Sequence, residues 1–205
     1  MDRAKLKANA KKKMEGNWKN WIYVLLICIG IGLVVSLICI PIGAKLDEDF
    51  KNLPTSICTT ILECLLGFGC VSFFLKIAKG QKTDYKEIFS KMNMFFKYFL
   101  TTLIISIIVA VGMIFLIVPG IIFALGLSQV PFIIVENPKI SIFDAIEKSW
   151  KMMKGHKWEY FVLDLSFLGW AILCAIPCGL GYIWLSPYYT TTISLYYLEL
   201  KKEKA

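Results

Sequence analysis

The chain has 205 residues, 57% of them hydrophobic and 14 of them Phe, with a mean hydropathy of +0.63. That composition excludes an ordinary soluble domain, and the length leaves no room for six membrane crossings plus a soluble domain, so the chain reads as a single membrane domain, 1–205, with short tails. The formal net charge of +8 calls for no nucleic-acid partner, because a leaflet rich in anionic lipid attracts the same lysines.

A helix needs ~20 residues to cross ~30 Å of hydrocarbon. Apolar stretches at 21–40, 55–78, 98–118, 120–135, 160–176 and 180–198 therefore predict an all-α, polytopic protein with six transmembrane helices paired as three hairpins. The first stretch follows a basic tail, as a signal peptide would. Its length is that of a span, and Ile42-Gly43-Ala44 is a poor cleavage site, so it reads as a retained helix. Trp18 and Trp21 stand at its start as interfacial aromatic anchors, and Trp158 does the same before the fifth stretch. Pro119-Gly120 separates the third and fourth stretches and predicts a tight turn there. Pro131 and Pro187 predict kinks in the fourth and sixth. Small residues spaced by four, Cys28, Gly32 and Ser36, then Gly120, Ala124 and Ser128, predict faces where helices pack closely.

All but Lys45 and Lys51 of the 23 basic residues fall in the first tail, in alternate connections and in the last tail. Cytoplasmic loops collect Lys and Arg, so both termini are expected inside, in a bacterial cytoplasmic (inner) membrane. Most of these charges belong to three basic segments, and each precedes one hairpin in units 1–78, 80–135 and 139–198. Each unit also enters its span through Met followed by aromatic residues beside a charge. In the second segment Asp84 and Glu87 resemble a capping pair, followed by Tyr85, Ile88, Phe89, Met92, Phe95, Phe96 and Phe99 at helical spacing. In the third, Ser141 and Asp144 open a helix with Ala145, Ile146, Ser149 and Met153 on one face, and Gly155 closes it. Such amphipathic helices either lie in the interface plane or cap the cytoplasmic ends of the spans. Lys86, Lys91, Lys148 and Lys151 are the candidate lipid-headgroup contacts.

Three polar residues inside spans are candidates for function: Glu63 near the middle of the second, Asp164 in the fifth and Gln129 in the fourth. Ionisable groups at such depth are costly and default to functional candidates; joining helices by hydrogen bonds is the alternative. All seven cysteines (Cys28, Cys39, Cys58, Cys64, Cys70, Cys174 and Cys178) sit in or beside spans as small packing residues, with Cys39, Cys58, Cys174 and Cys178 nearer the outer face. With one histidine, His156, and no CxxC, neither a metal site nor a cofactor is expected. No nucleophile–base pair, P-loop or dinucleotide turn is present, so no enzyme is expected.

Several stretches together carry a resemblance. They are Lys13-Met-Glu-Gly-Asn-Trp18, Pro119-Gly-Ile-Ile, Pro131-Phe-Ile-Ile-Val-Glu-Asn-Pro138, the run from Ala145 to Trp170, and Pro187-Tyr-Tyr followed by Tyr196-Tyr197. The chain resembles, over nearly its whole length, a bacterial membrane family catalogued as domain of unknown function 975. The resemblance implies an integral membrane protein and places Asp164, Ser166, Trp170 and Pro187 in a family pattern; it implies no activity.

The sequence thus points to a non-enzymatic inner-membrane protein that binds anionic lipid, another membrane protein or a second copy of itself, in envelope maintenance or protection against membrane stress. The alternative is a small transporter or channel subunit using Glu63 and Asp164.

Overall fold

The computed structural model describes residues 3–44, 47, 50–176 and 179–203. Lys45 and Cys178, named above, lie outside them. The structure is 84% helix, and the described residues contain no strand. In chain order the helices are α1 (Arg3–Met14), α2 (Trp18–Gly43), α3 (Leu53–Ala78), α4 (Phe95–Phe115), α5 (Ile117–Leu127), α6 (Val130–Glu136), α7 (Ile142–Met152), α8 (Lys157–Ala175) and α9 (Tyr182–Glu203). Among the described residues, five segments are long and apolar enough to cross a membrane: Trp18–Gly43, Leu53–Ala78, Tyr85–Phe115, Ile117–Glu136 and Lys157–Ala175.

The sixth expected span forms α9, but α9 falls outside that set. Its sequence alternates apolar residues with Thr190, Thr191, Thr192, Ser194, Tyr196 and Tyr197, and most of these are buried in the protein core. α9 therefore holds the bundle together from inside. Leu6 and Leu200 share one core, with Tyr196 and Tyr197, and α1 packs along α9.

Two hairpins follow expectation. α2 pairs with α3, and α4 with α5. The second turns at Leu116, whose backbone is extended (φ −163°, ψ 147°), and not at Pro119-Gly120. Pro119 sits in the first turn of α5, where a missing N–H costs nothing. Gly120 serves close approach instead: a Cβ there would lie 2.5 Å from Met113 Sδ, and one on Gly112 would lie 3.0 Å from Gly120 Cα. The matching expectation for the first span fails, since a Cβ on Gly32 would meet nothing within 4 Å.

The three basic segments differ from one another. α1 buries Leu6, Ala10 and Met14, and α7 buries Ala145, Ser149 and Met152. The second segment is not one helix. It forms two 3-10 turns, Tyr85–Phe89 and Met92–Met94, and Asp84 makes no side-chain cap. Ile88 anchors the first turn and is fully buried. Gly69 of α3 lies beneath it, and a Cβ on Gly69 would overlap the Ile88 carbonyl. The turns α1–α2 and α7–α8 are alike. Met14 and Met153 are fully buried, and Gly16 and Gly155 both have φ +89°. Asn17 and His156 then open the next helix, their N–H groups donating to Met14 O and Met153 O at 2.9 and 3.1 Å.

The α8–α9 hairpin is out of register with the other two. α8 starts beside the open end of the α4–α5 hairpin: Lys157 Nζ lies 3.2 Å from the centroid of the Trp150 ring, and that ring also fills the space a Cβ on Gly126 would take. α8 ends beside the first turn of α2, where Trp170 and Cys174 share a cavity with Trp18. The turn expected at the outer face thus meets the residues expected at the inner face, and Cys174 lies at the same end as Trp18. Trp18 and Trp184 have ring centroids 4.8 Å apart, and Trp21 Nε1 donates to Ile183 O at 3.1 Å. Pro187 explains that acceptor, because it lacks the N–H that would have claimed the carbonyl four residues earlier. Trp21 is accordingly buried and is not an exposed anchor, whereas Trp158 is 72% exposed.

Candidate functional site

Pro131 cannot extend a helix backward, so α5 and α6 are separate and Ser128-Gln129 lies between them. This break faces α8. Gln129 is fully buried, and its Nε2 donates to Ser128 Oγ at 2.8 Å. Tyr160 of α8 lies beside Ser128 and beside Tyr189 of α9, near enough to interact with both. The Tyr189 hydroxyl in turn donates to Asp164 Oδ1 at 3.1 Å. Asp164, Tyr189, Tyr160, Ser128 and Gln129 therefore form one polar row through the bundle. Gln129 Oε1 and Thr191 Oγ1 are buried with no hydrogen-bond partner among the described residues. A buried acceptor left unmade costs about 1–3 kcal/mol, so the Gln129 carbonyl is a vacant acceptor at the end of the row.

The structure brings together Asp164 and Gln129 and leaves Glu63 apart, exposed on α3. The hydroxyls on the same stretch of α3 bond back along their own helix: Thr59 Oγ1 to Thr55 O at 2.9 Å and Thr60 Oγ1 to Ser56 O at 2.8 Å. No group of three or more His, Cys, Asp or Glu that could hold a metal occurs among the described residues. His156 lies between Glu159 (3.2 Å) and Glu203 (3.4 Å), which fixes the start of α8 to the end of α9.

A second cluster went unnoticed in the sequence. Glu136 ends α6 with a side chain only 7% exposed, and it binds Lys79 at 2.5 Å and Lys201 at 2.6 Å. The Tyr197 hydroxyl donates to it at 2.7 Å. One carboxylate thus ties together the ends of α3, α6 and α9. A charged residue closing an apolar run, Val135-Glu136-Asn137-Pro138, was the available signal. Glu87 repeats the arrangement, binding Lys76 at 2.6 Å and accepting from Ser72 and Ser90 at 2.7 and 2.9 Å. Lys97 is likewise used internally, donating to the carbonyls of Pro138 and Ile140.

Of the candidate headgroup lysines, Lys86, Lys148 and Lys151 are exposed and Lys91 is half-buried. Lys151 pairs with Glu147 at 2.5 Å, both ends in solvent, a contact worth well under about 1 kcal/mol. α1 adds Lys7 and Lys11. Lys7 Nζ sits 4.3 Å from the Phe167 centroid, and burial, aided by the charge of Arg3, lowers its pKa from the usual lysine value.

No characterised protein and no solved structure matches the chain. The family model described as Protein of unknown function (DUF975) matches residues 1–125 and 106–204. The chain, an all-helical protein with several helices fit to cross a membrane, belongs to that family.

Proposed function

We propose that this is a non-enzymatic protein of the bacterial inner membrane whose basic, cytoplasmic side binds anionic lipid, in envelope maintenance or membrane-stress protection. One observation carries the reading. The lysine-rich segments do not hang as loose loops; each buries its apolar residues, Leu6, Ile88 and Ala145, and so holds its exposed lysines in fixed positions on one side of the molecule. Anionic lipid contributes about 1 kcal/mol per Lys or Arg near the surface.

Topology follows from α1. It carries Arg3, Lys5, Lys7, Lys11, Lys12 and Lys13 in 12 residues, and each such charge at mid-bilayer costs at least ~2.5 kcal/mol. α1 therefore stays out of the hydrocarbon, and α9, packed along it, stays with it. In this reading α2, α3, α4 and the α5–α6 segment cross. α8 lies along the inner leaflet, with Leu165, Leu168, Ile172 and Leu173 exposed to lipid, and both termini are cytoplasmic.

The test is purification of the full chain in native lipid, followed by mass spectrometry of the retained lipid. Acidic headgroups should be enriched over the bulk membrane, and Lys86→Gln/Lys91→Gln/Lys148→Gln/Lys151→Gln should reduce that enrichment. Unchanged lipid composition in the variant sinks the reading, and a stoichiometric protein partner would replace it.

The polar row favours a second reading, a small transporter or channel subunit, because it ends on a vacant acceptor. Its pair is Asp164 with Gln129; Glu63 lies away from the row. Asp164→Asn should then abolish solute or proton flux in proteoliposomes, and an unaltered flux removes the row from any transport path.

A further inference from the structure

The strongest feature outside these clusters is a cavity of about 510 Å3 where the end of α1 and the first turn of α2 meet the α8–α9 turn. Its volume is within the ~300–1,000 Å3 of small-molecule sites. Trp18, Trp170, Trp184 and Tyr188 form its walls, and among the described residues Lys11 is the one charged residue lining it. Lys11 is exposed and makes no ion pair among the described residues. Lys7, one turn earlier on the same helix, reaches Phe167, and the Phe167 ring packs against Tyr188 at 5.3 Å. Lys11 therefore borders an aromatic chamber, and the Lys7 ammonium sits one helical turn away, over Phe167 and 3.5 Å from Ser166 O.

We propose that this cavity holds one anionic phospholipid, its phosphate on Lys11 and Lys7 and an acyl chain against the tryptophans. The chemistry selects the class. One lining cation, a second a turn away and no carboxylate among the described lining residues favour a negative headgroup, and a free phosphate would leave the apolar wall uncovered. A zwitterionic head would set its own ammonium against the lysines. The place also fits: tryptophan and lysine together mark the headgroup level of a membrane, and α8 carries the site along the inner leaflet. The inference rests on the lipid-binding reading above and adds to it one defined site, separate from the surface attraction of Lys86, Lys91, Lys148 and Lys151.

The experiment titrates the full chain, in neutral detergent, with phosphatidylglycerol brominated on its acyl chains while tryptophan emission is read. Saturable quenching at one lipid per chain is expected, with brominated phosphatidylcholine quenching weakly and without saturation. Lys7→Gln/Lys11→Gln should weaken binding about tenfold, the size of one lost charge-assisted contact. The quadruple variant of the other lysines should leave it unchanged. Inorganic phosphate at the same concentration should not displace the lipid. Equal quenching by both lipids, displacement by phosphate, or wild-type binding by Lys7→Gln/Lys11→Gln each overturns the proposal. If that last result comes while co-purified lipid remains rich in acidic headgroups, the cavity fails and the broader reading stands. If co-purified lipid is not enriched, the broader reading fails as well.

Discussion

Glu136 shows what a single carboxylate does here. It pairs with two lysines from distant parts of the chain and accepts from Tyr197. Its side chain is buried while Lys79 and Lys201 are partly in solvent, so the loss on replacement is less than for a fully buried pair. Glu136→Gln should cost about 1–3 kcal/mol, read as a fall in Tm in detergent, and Tyr197→Phe about 1 kcal/mol. An unshifted Tm for Glu136→Gln would mean that α3, α6 and α9 are held without it. Trp21 and Pro187 form a second dependent pair. Trp21→Phe leaves Ile183 O without its donor, which should cost about 1 kcal/mol in the native background. In a Pro187→Ala background a backbone N–H returns to that carbonyl, so the same change should cost markedly less. Equal losses in the two backgrounds would contradict the assignment.

Among the elements, the hairpins were legible and the connections were not. Periodicity and length mark α2, α3 and α4 because a crossing helix is apolar on every side. They fail at Tyr85–Met94, where the aromatic spacing suits an α-helix. The segment instead winds as 3-10 turns, because Gly69 admits its backbone against α3 and Glu87 turns inward to Ser72 and Lys76. Gly69→Ala should therefore displace that turn and cost about 1–3 kcal/mol by overpacking, whereas Gly32→Ala, in open space, should be neutral or slightly stabilising. Thermal unfolding of the two variants side by side reads the difference, and equal behaviour would show that Gly69 is not a contact point. The polar row was half legible. Asp164 and Gln129 stand out as polar residues in apolar runs, but Tyr160 and Tyr189, which join them, look like ordinary aromatics until the fold brings α8 and α9 together.

At the scale of the molecule, counting spans overshot: six were expected, and five segments among the described residues are long and apolar enough to cross. The stretch 180–198 reads as a span by its length, but its Tyr, Thr and Ser residues leave α9 outside the set of helices apolar enough to cross. Packing agrees: α9 runs beside the lysine-bearing α1, and Trp18 and Trp21 meet Trp184 and Ile183 near its start. In the proposed topology the basic side is a folded layer of α1, α7, α8 and α9 over two membrane hairpins, and both lipid proposals depend on it. Cysteine accessibility tests that layer most directly. In a background without native cysteines, single cysteines at Lys19, Asn52 and Leu180 would be challenged in intact cells with a membrane-impermeant maleimide. Asn52→Cys should label, and Leu180→Cys should resist labelling as Lys19→Cys does, both reacting only once the membrane is opened. Labelling of Leu180→Cys in intact cells, together with Asn52→Cys, would place the α8–α9 turn outside and contradict the account.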